Sequence, residues 1–255
     1  MPDLNMSVNP LIDEVIPWPR RTMVLFFLVD TSGSMVGSKI GTVNSAIEEV
    51  IPHLRDLSFN NADSQIKIAA LEFSTEAKWI TQVPTEAESF GGWLDLNAGG
   101  VTAFGAACAK LNEKLTITEK GFMIEVAGSY APVILLLSDG GPTDNYKEEL
   151  EKLKNNNWFK VAIKIAIAIG DDADKSVLEE FTGAPEAILE AHDEKTLKKM
   201  IVFVSVRASQ IFSRASKSVS DENETESKKR EFFDALNEFK VEAADSADTT
   251  NIIGW

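Results

Sequence analysis

A short loop carries the residues whose types and spacing best suit metal binding. Asp30, Ser32 and Ser34 place one carboxylate and two hydroxyls at alternate positions, directly after an apolar run. In a tight loop alternate side chains can converge on one point, and Gly33 lets the backbone turn between the hydroxyls because it has no Cβ. Oxygen ligands suit a hard cation. The loop therefore predicts a divalent metal site, with Mg²⁺ as first choice and Mn²⁺ or Ca²⁺ as alternatives.

The charge of this loop indicates what such a metal would do. One carboxylate and two neutral hydroxyls leave a divalent cation incompletely neutralised, so it still seeks an anionic ligand. We expect a partner protein to supply that ligand as a carboxylate. A plainer alternative is that the same side chains only cap the N–H groups of the next helix.

Two further polar residues follow apolar or glycine-rich segments. Asp139 stands at the end of the apolar run 132–138, and Thr102 follows Gly99 and Gly100 just before a predicted helix. In doubly wound sheets, ligands gather beyond the carboxyl ends of strands where the strand order reverses. Asp30 and Asp139 would both lie at such ends, so three loops distant in sequence are expected to meet in one crevice.

The elements that must position these residues alternate between strand and helix. Continuous apolar runs indicate buried strands, and apolar residues at helical spacing indicate amphipathic helices. This alternation predicts an α/β fold with a doubly wound, mostly parallel sheet of about six strands, one antiparallel edge strand and helices on both faces. The predicted strands are 23–29, 66–73, 77–81, 132–138, 160–169 and 187–190, and the helices cover 40–54, 104–118, 146–155, 175–181 and 194–208; 84–101 is predicted as a loop.

The three motifs, in this order, resemble the metal-ion-dependent adhesion site of von Willebrand factor A (VWA) domains. They are strand-D-x-S-x-S, a threonine preceded by glycines, and strand-S-D-G, and the similarity covers roughly residues 20–210. The resemblance implies a Rossmann-like VWA fold and a protein-interaction function. It also implies five metal-ligand positions, some of them acting through water: Asp30, Ser32, Ser34, Thr102 and Asp139.

Finer features are similar to the bacterial TerY-like branch associated with tellurite resistance. They are Arg20 and Arg21, the block 98–105, and the block 139–144. Phe104 stands where leucine is expected, and the cysteine-rich zinc module that some relatives carry has no counterpart here. The resemblance implies a bacterial stress-response system with a kinase or phosphatase as partner.

The chain divides into three parts by composition. Residues 1–20 form a proline-containing, extended lead-in, 21–212 the predicted VWA domain, and 213–255 a polar linker with a possible amphipathic helix at 231–241. Phe232, Phe233, Leu236 and Phe239 share one face of that helix. The favoured interpretation is that the face docks on its own domain or is weakly ordered; binding to another protein is the alternative.

Composition excludes several classes of function. A net charge of −15 argues against nucleic-acid binding. Cys108 is the single cysteine, which excludes an internal disulfide, and it is predicted to be a small buried apolar residue. No signal peptide is recognised, and the apolar runs are too short to span a bilayer. The expectation is a cytoplasmic protein without a membrane span.

Catalysis is not expected, and no catalytic residue or cofactor-binding motif is assigned. A metal-dependent phosphohydrolase is the enzyme alternative, but the position where such aspartate hydrolases need a second acid holds Ser32. Walker A, Gly-x-Ser-x-Gly and dinucleotide-binding motifs are absent from the sequence. A further alternative is a scaffold that binds through its acidic surface or its tail, with a structural metal. Trp79, Trp93 and Trp158 are expected to pack in the core or at its rim, and among them Trp93 is the best candidate for a partner contact.

Overall fold

A computed structural model of the chain describes residues 20–125, 128–139, 141–171, 173–214 and 222–250. The predicted lead-in lies outside these residues, except for Arg20. Part of the predicted linker and Gly140 of the S-D-G motif also lie outside them.

Seven strands form one mixed sheet with the order β3-β2-β1-β5-β6-β7, and β4 also pairs with β2. All neighbours are parallel except β3 and β4, which both run antiparallel to β2. This confirms the predicted doubly wound fold. The strands are β1 (Arg21–Asp30), β2 (Ser64–Phe73), β3 (Ala77–Trp79), β4 (Thr85–Glu86), β5 (Val133–Ser138), β6 (Ile163–Ile169) and β7 (Ile188–Ala191).

The strand order reverses beside β1, and this places the two aspartates. From β1 the chain crosses to β2 on one side, and it later enters β5 on the other side of β1. Val29 is in register with Leu137, so the carboxyl ends of β1 and β5 stop at the same level. Asp30 and Asp139 therefore come to the same edge of the sheet, at the switch point.

Helices cover both faces of the sheet, because alternate residues of its strands point to opposite faces. Leu25, Phe27 and Val29 pack with α1 and α6, whereas Phe26 and Leu28 pack with α2 and α5. No helix within the described ranges is long and apolar enough to cross a membrane. The helices are α1 (Ser38–Phe59), α2 (Phe104–Lys114), α3 (Tyr146–Lys154), α4 (Asn157–Val161), α5 (Lys175–Thr182), α6 (Glu194–Phe212) and α7 (Glu222–Thr250).

Several predicted boundaries are wrong for local reasons. The predicted loop 84–101 contains β4, which brings the strand number to seven instead of about six. The predicted strand 160–169 begins only at Ile163, because the preceding residues form α4. Asn156 starts α4 as its N-cap, with Oδ1 accepting hydrogen bonds from the amides of Trp158 and Phe159. The helix predicted over 104–118 ends at Lys114.

The C-terminal helix is longer than predicted and packs on the domain. It begins at Glu222, inside the predicted linker, instead of at 231. Phe232 and Leu236 are fully buried in the same core cluster as α1 and α6. Phe232 lies 6.0 Å from Phe212, and Phe239 stacks on Phe203 at 4.2 Å, both measured between ring centroids. The apolar stripe therefore docks on this chain's own α6, as the favoured interpretation predicted.

Candidate metal site

Asp30 is the most deeply buried residue of the candidate site. It ends β1 with no exposed surface, and its Oδ1 accepts a hydrogen bond from the Ser32 amide at 2.8 Å. Its Oδ2 accepts a hydrogen bond from the Ser138 hydroxyl at 2.6 Å. Burial raises the pKa of the Asp30 carboxyl, the hydrogen bonds from Ser138 and Ser32 oppose that rise, and the charge of Asp139 adds to it. The site thus holds a desolvated carboxylate that a cation would stabilise.

Two serines connect the Asp30 loop to Asp139. The hydroxyls of Ser32 and Ser34 lie 3.0 Å apart, and Ser34 donates to Oδ1 of Asp139 at 2.6 Å. Asp139 is buried, whereas Ser34 is exposed and marks the open side of the cluster. Hydrogen bonds therefore connect four of the five predicted residues in one continuous network, which begins with the Ser32 amide on Asp30.

Thr102 joins this network through its loop rather than through its own hydroxyl. The Gly99 amide donates to the carbonyl of Thr31 at 2.7 Å, and the Gly33 amide donates to the carbonyl of Gly100 at 3.0 Å. Thr102 itself is buried. In the described parts of the chain its hydroxyl makes no hydrogen bond to the other four residues, so the structure brings its loop, but not its oxygen, into direct contact with them.

Thr143 and Asp144, which the sequence-based ligand set leaves out, hold the Thr102 loop in place. Thr143 exchanges hydrogen bonds with the backbone of Thr102: its amide donates to the Thr102 carbonyl at 2.9 Å, and its hydroxyl accepts from the Thr102 amide at 3.1 Å. The Asp144 carboxylate accepts from the amides of Gly105 and Ala106 at 3.1 and 3.2 Å. It thereby satisfies free N–H groups in the first turn of α2.

Sequence reasoning missed one residue of the site, Lys39. Its ammonium lies 2.5 Å from Oδ2 of Asp139. Within the described residues it is the one cation that contacts either carboxylate. A pattern search for oxygen ligands could not find it, because lysine does not bind metals in its charged form; its position in the first turn of α1, close behind the serine loop, is the only signal.

The donor set fits a hard divalent cation. It consists of two buried carboxylates and neutral hydroxyls, which are oxygen ligands of the kind that such cations prefer. With Lys39 the charged groups sum to −1, from two carboxylates and one ammonium. A bound divalent cation would offset this negative charge, and a coordination position that the site residues leave open could take a ligand from outside.

Two other residues singled out in the sequence belong to the core. Trp93 is buried, and its indole N–H donates to Oδ1 of Asn44 at 3.0 Å. This confirms the expected core packing of Trp93 and leaves its side chain little surface for a partner contact. Cys108 is buried as predicted, and burial raises the pKa of its thiol, so it does not supply a thiolate.

A family model decides the classification of the chain. The model of the von Willebrand factor type A domain matches residues 25–202. The chain belongs to this family. VWA domains commonly act as metal-dependent adhesion or interaction modules and are not generally enzymes.

Solved structures of other proteins share the fold. A von Willebrand factor type A protein from Catenulispora acidiphila superimposes with a TM-score of 0.54 at 16% identity, over 73% of this chain and 42% of that one. The ArnB paralog VWA2 from Sulfolobus acidocaldarius superimposes with a TM-score of 0.52 at 19% identity, over 72% of this chain and 45% of that one. Proximal thread matrix protein 1 from the mussel byssus has a zinc-occupied metal-ion-dependent adhesion site (MIDAS) motif. It superimposes with a TM-score of 0.56 at 19% identity, over 73% of this chain and 48% of that one.

These likenesses describe the fold alone. The chain spans less than half the length of each of the three proteins. The search of curated proteins gave no match.

Proposed function

We propose that this VWA domain is a metal-dependent protein-interaction module. Asp30, Ser32, Ser34, Thr102 and Asp139 would hold a divalent cation, with Mg²⁺ favoured and Mn²⁺ or Ca²⁺ as alternatives. The observation that carries the proposal is the network from Asp30 to Asp139. Two buried carboxylates and two hydroxyls meet at the switch point of the sheet, and one side of the cluster is open.

The residues of this chain define what such a site recognises. When bound, the cation supplies a positive centre that accepts an acidic side chain of the partner. The serines contribute neutral oxygens, so they leave part of the metal charge for that ligand. Val36 lies just after Ser34, and Val101 lies just before Thr102; their side chains are 61% and 49% exposed. They provide an apolar rim against which the partner's surface can pack around its carboxylate.

The docked tail favours this site over the tail as the place of partner binding. The apolar stripe of α7 is already covered by α6, because Phe232 and Leu236 have no exposed surface. A partner therefore cannot use those side chains without unpacking the helix. The exposed loops around Ser34 need no such rearrangement.

The wider setting rests on the sequence resemblance described above. The arginine pair at 20–21 and the blocks at 98–105 and 139–144 support a bacterial, cytoplasmic stress-response role of the tellurite-resistance type. A kinase or phosphatase of the same system is the partner we propose. The mussel protein with zinc in its MIDAS motif makes zinc a further metal to compare with Mg²⁺.

Calorimetric titration with Mg²⁺ and Mn²⁺ tests the proposal. We expect binding heat for the wild-type protein and none for Asp30→Ala, because that change removes the buried carboxylate. Asp56→Ala is the matched control, since Asp56 is an exposed aspartate on α1. Equal heats for wild type and Asp30→Ala would contradict the proposal. A pull-down with and without EDTA then measures whether partner capture depends on the same residue.

A further inference from the structure

Lys39 connects the candidate metal site to an adjoining cavity. It is the second residue of α1, and its ammonium lies 2.5 Å from Oδ2 of Asp139. The Asp139 side chain has no exposed surface, whereas the Lys39 side chain is 35% exposed. The lysine thus reaches from the surface to a carboxylate that is otherwise closed off from water.

The end of β6 leaves space for this lysine. Gly170 directly follows β6 with φ at +86°, and a Cβ added there would lie 3.3 Å from Nζ and 3.4 Å from Cε of Lys39. Lys39 and Gly170 also line a cavity of about 500 Å³ between the first turns of α1 and α6. The side chain therefore has a fitted path to Asp139 and an open volume into which it can withdraw.

The charges define what the contact does. A buried carboxylate without a cation is unstable, and Lys39 supplies that cation to Asp139. A divalent cation held by Asp139 would place two positive groups on one carboxylate, where they repel each other. Among the described residues no cation contacts Asp30; its oxygens accept hydrogen bonds from Ser32 and Ser138 instead.

We propose that Lys39 is an internal cation that competes with the divalent metal for Asp139. In the metal-free protein it neutralises Asp139, and on metal binding it withdraws into the cavity lined by Gly170. Its charge keeps the metal affinity of the site low. This inference rests on the proposed function, because it concerns the same site.

Metal titration of Lys39 variants tests this role. We expect Lys39→Met and Lys39→Gln to bind Mn²⁺ and Mg²⁺ at least tenfold more tightly than wild type, because the competitor is gone. Lys39→Arg keeps the charge and should stay within about threefold of wild type. In EDTA both neutral variants should melt at a lower temperature than wild type, because Asp139 has lost its cation, and added metal should raise their melting temperature by more.

Lys195→Met is the matched control. Lys195 is an exposed lysine in the first turn of α6 and lines the same cavity, but it makes no ion pair with Asp139. We expect its metal affinity to stay within twofold of wild type. Unchanged or weaker binding by both neutral Lys39 variants would overturn the inference.

The same titrations separate this inference from the proposed function. If wild type binds metal, Asp30→Ala does not, and the neutral Lys39 variants match wild type, only the role of Lys39 fails. If neither wild type nor any Lys39 variant binds metal, the proposed function fails and the inference fails with it. Binding that is measurable only in the neutral Lys39 variants supports the inference but contradicts the proposed function, which requires wild type to bind metal.

Discussion

At the scale of single residues, the chain places charged groups in environments that are unfavourable for their charge. Asp30 is one example, and Lys164 on β6 is another. Desolvation, with a smaller contribution from the charge of Lys229, lowers the pKa of Lys164 to about 8. Its ammonium still donates to the carbonyl of Phe159 at 3.1 Å and lies 4.8 Å from the centre of that ring.

The lowered pKa of Lys164 makes its contribution to stability depend on pH. The unfolded chain titrates this lysine near 10.5 and the folded chain near 8. Between these values the unfolded state binds more protons, so the free energy of unfolding rises with pH through this group. The penalty of the charged lysine is complete below about pH 8 and is relieved towards pH 10.5.

We therefore expect the effect of Lys164→Met on stability to depend on pH. The free energy of unfolding of the variant minus that of wild type should be most positive at pH 7 and should fall as the pH rises to 10. Urea unfolding at several pH values measures the difference, in which the other titrating groups cancel. Lys160→Met, which changes an exposed lysine on α4, is the control. A difference that does not vary with pH would contradict the prediction.

At the scale of elements, the loops between them position the site. The Thr102 loop is fixed by backbone hydrogen bonds to Thr31 and Gly33 and by the bonds of Thr143. Its shape requires Gly100, which has φ at +85°. A Cβ at that position would lie 2.5 Å from the hydroxyl oxygen of Thr75.

We expect Gly100→Ala to destabilise the protein by about 1–3 kcal/mol and to weaken metal binding, because the left-handed backbone and the clash with Thr75 both displace the loop. Gly99→Ala is a closely matched control. Gly99 is the neighbouring residue, and a Cβ there would meet nothing within 4 Å. Urea unfolding and metal titration measure the two effects. Similar results for both variants would show that the special conformation of Gly100 is unimportant.

The sequence predicts the elements of this protein better than the contacts between them. The run 23–29 and the stripe on α1 identify a strand and a helix because burial imposes a period on each. Asp30, Ser32, Ser34 and Asp139 could be brought together because parallel strands end at one edge. Lys39 could not, since its pairing depends on a side-chain path beside Gly170. The hydrogen bond from Trp93 to Asn44 could not be predicted either, because Asn44 lies on a distant helix.

At the scale of the whole molecule, α7 completes the core. The residues from α6 and α7 that contact each other belong to the cluster that also contains β1 and α1. Phe232 on α7 contacts Phe212 on α6, so its ring packs between the two helices. The C-terminal segment is predicted as a polar linker with a possible helix because few of its residues are apolar; of these, Phe232 and Leu236 lie on the buried face of α7, whereas Val241 is exposed.

We expect Phe232→Ala to lower the free energy of unfolding by about 3–5 kcal/mol, because it leaves a cavity between α6 and α7. Val241→Ala changes an exposed apolar residue of the same helix and should have an effect below about 0.5 kcal/mol. Chemical denaturation measures both. A small effect of Phe232→Ala would mean that α7 contributes little to the folded core in solution.

The central position of β1 has a mechanical consequence. β1 pairs over its whole length with β2, and from Leu25 to Val29 it also pairs with β5. If Asp30 holds the proposed metal, a load on that metal would reach β1 through its last residue. The force is shared by the ladders on both edges in shear, so no bond can open alone. The proposed metal site therefore lies at the end of a strand that shares its hydrogen bonds with a neighbouring strand on each side.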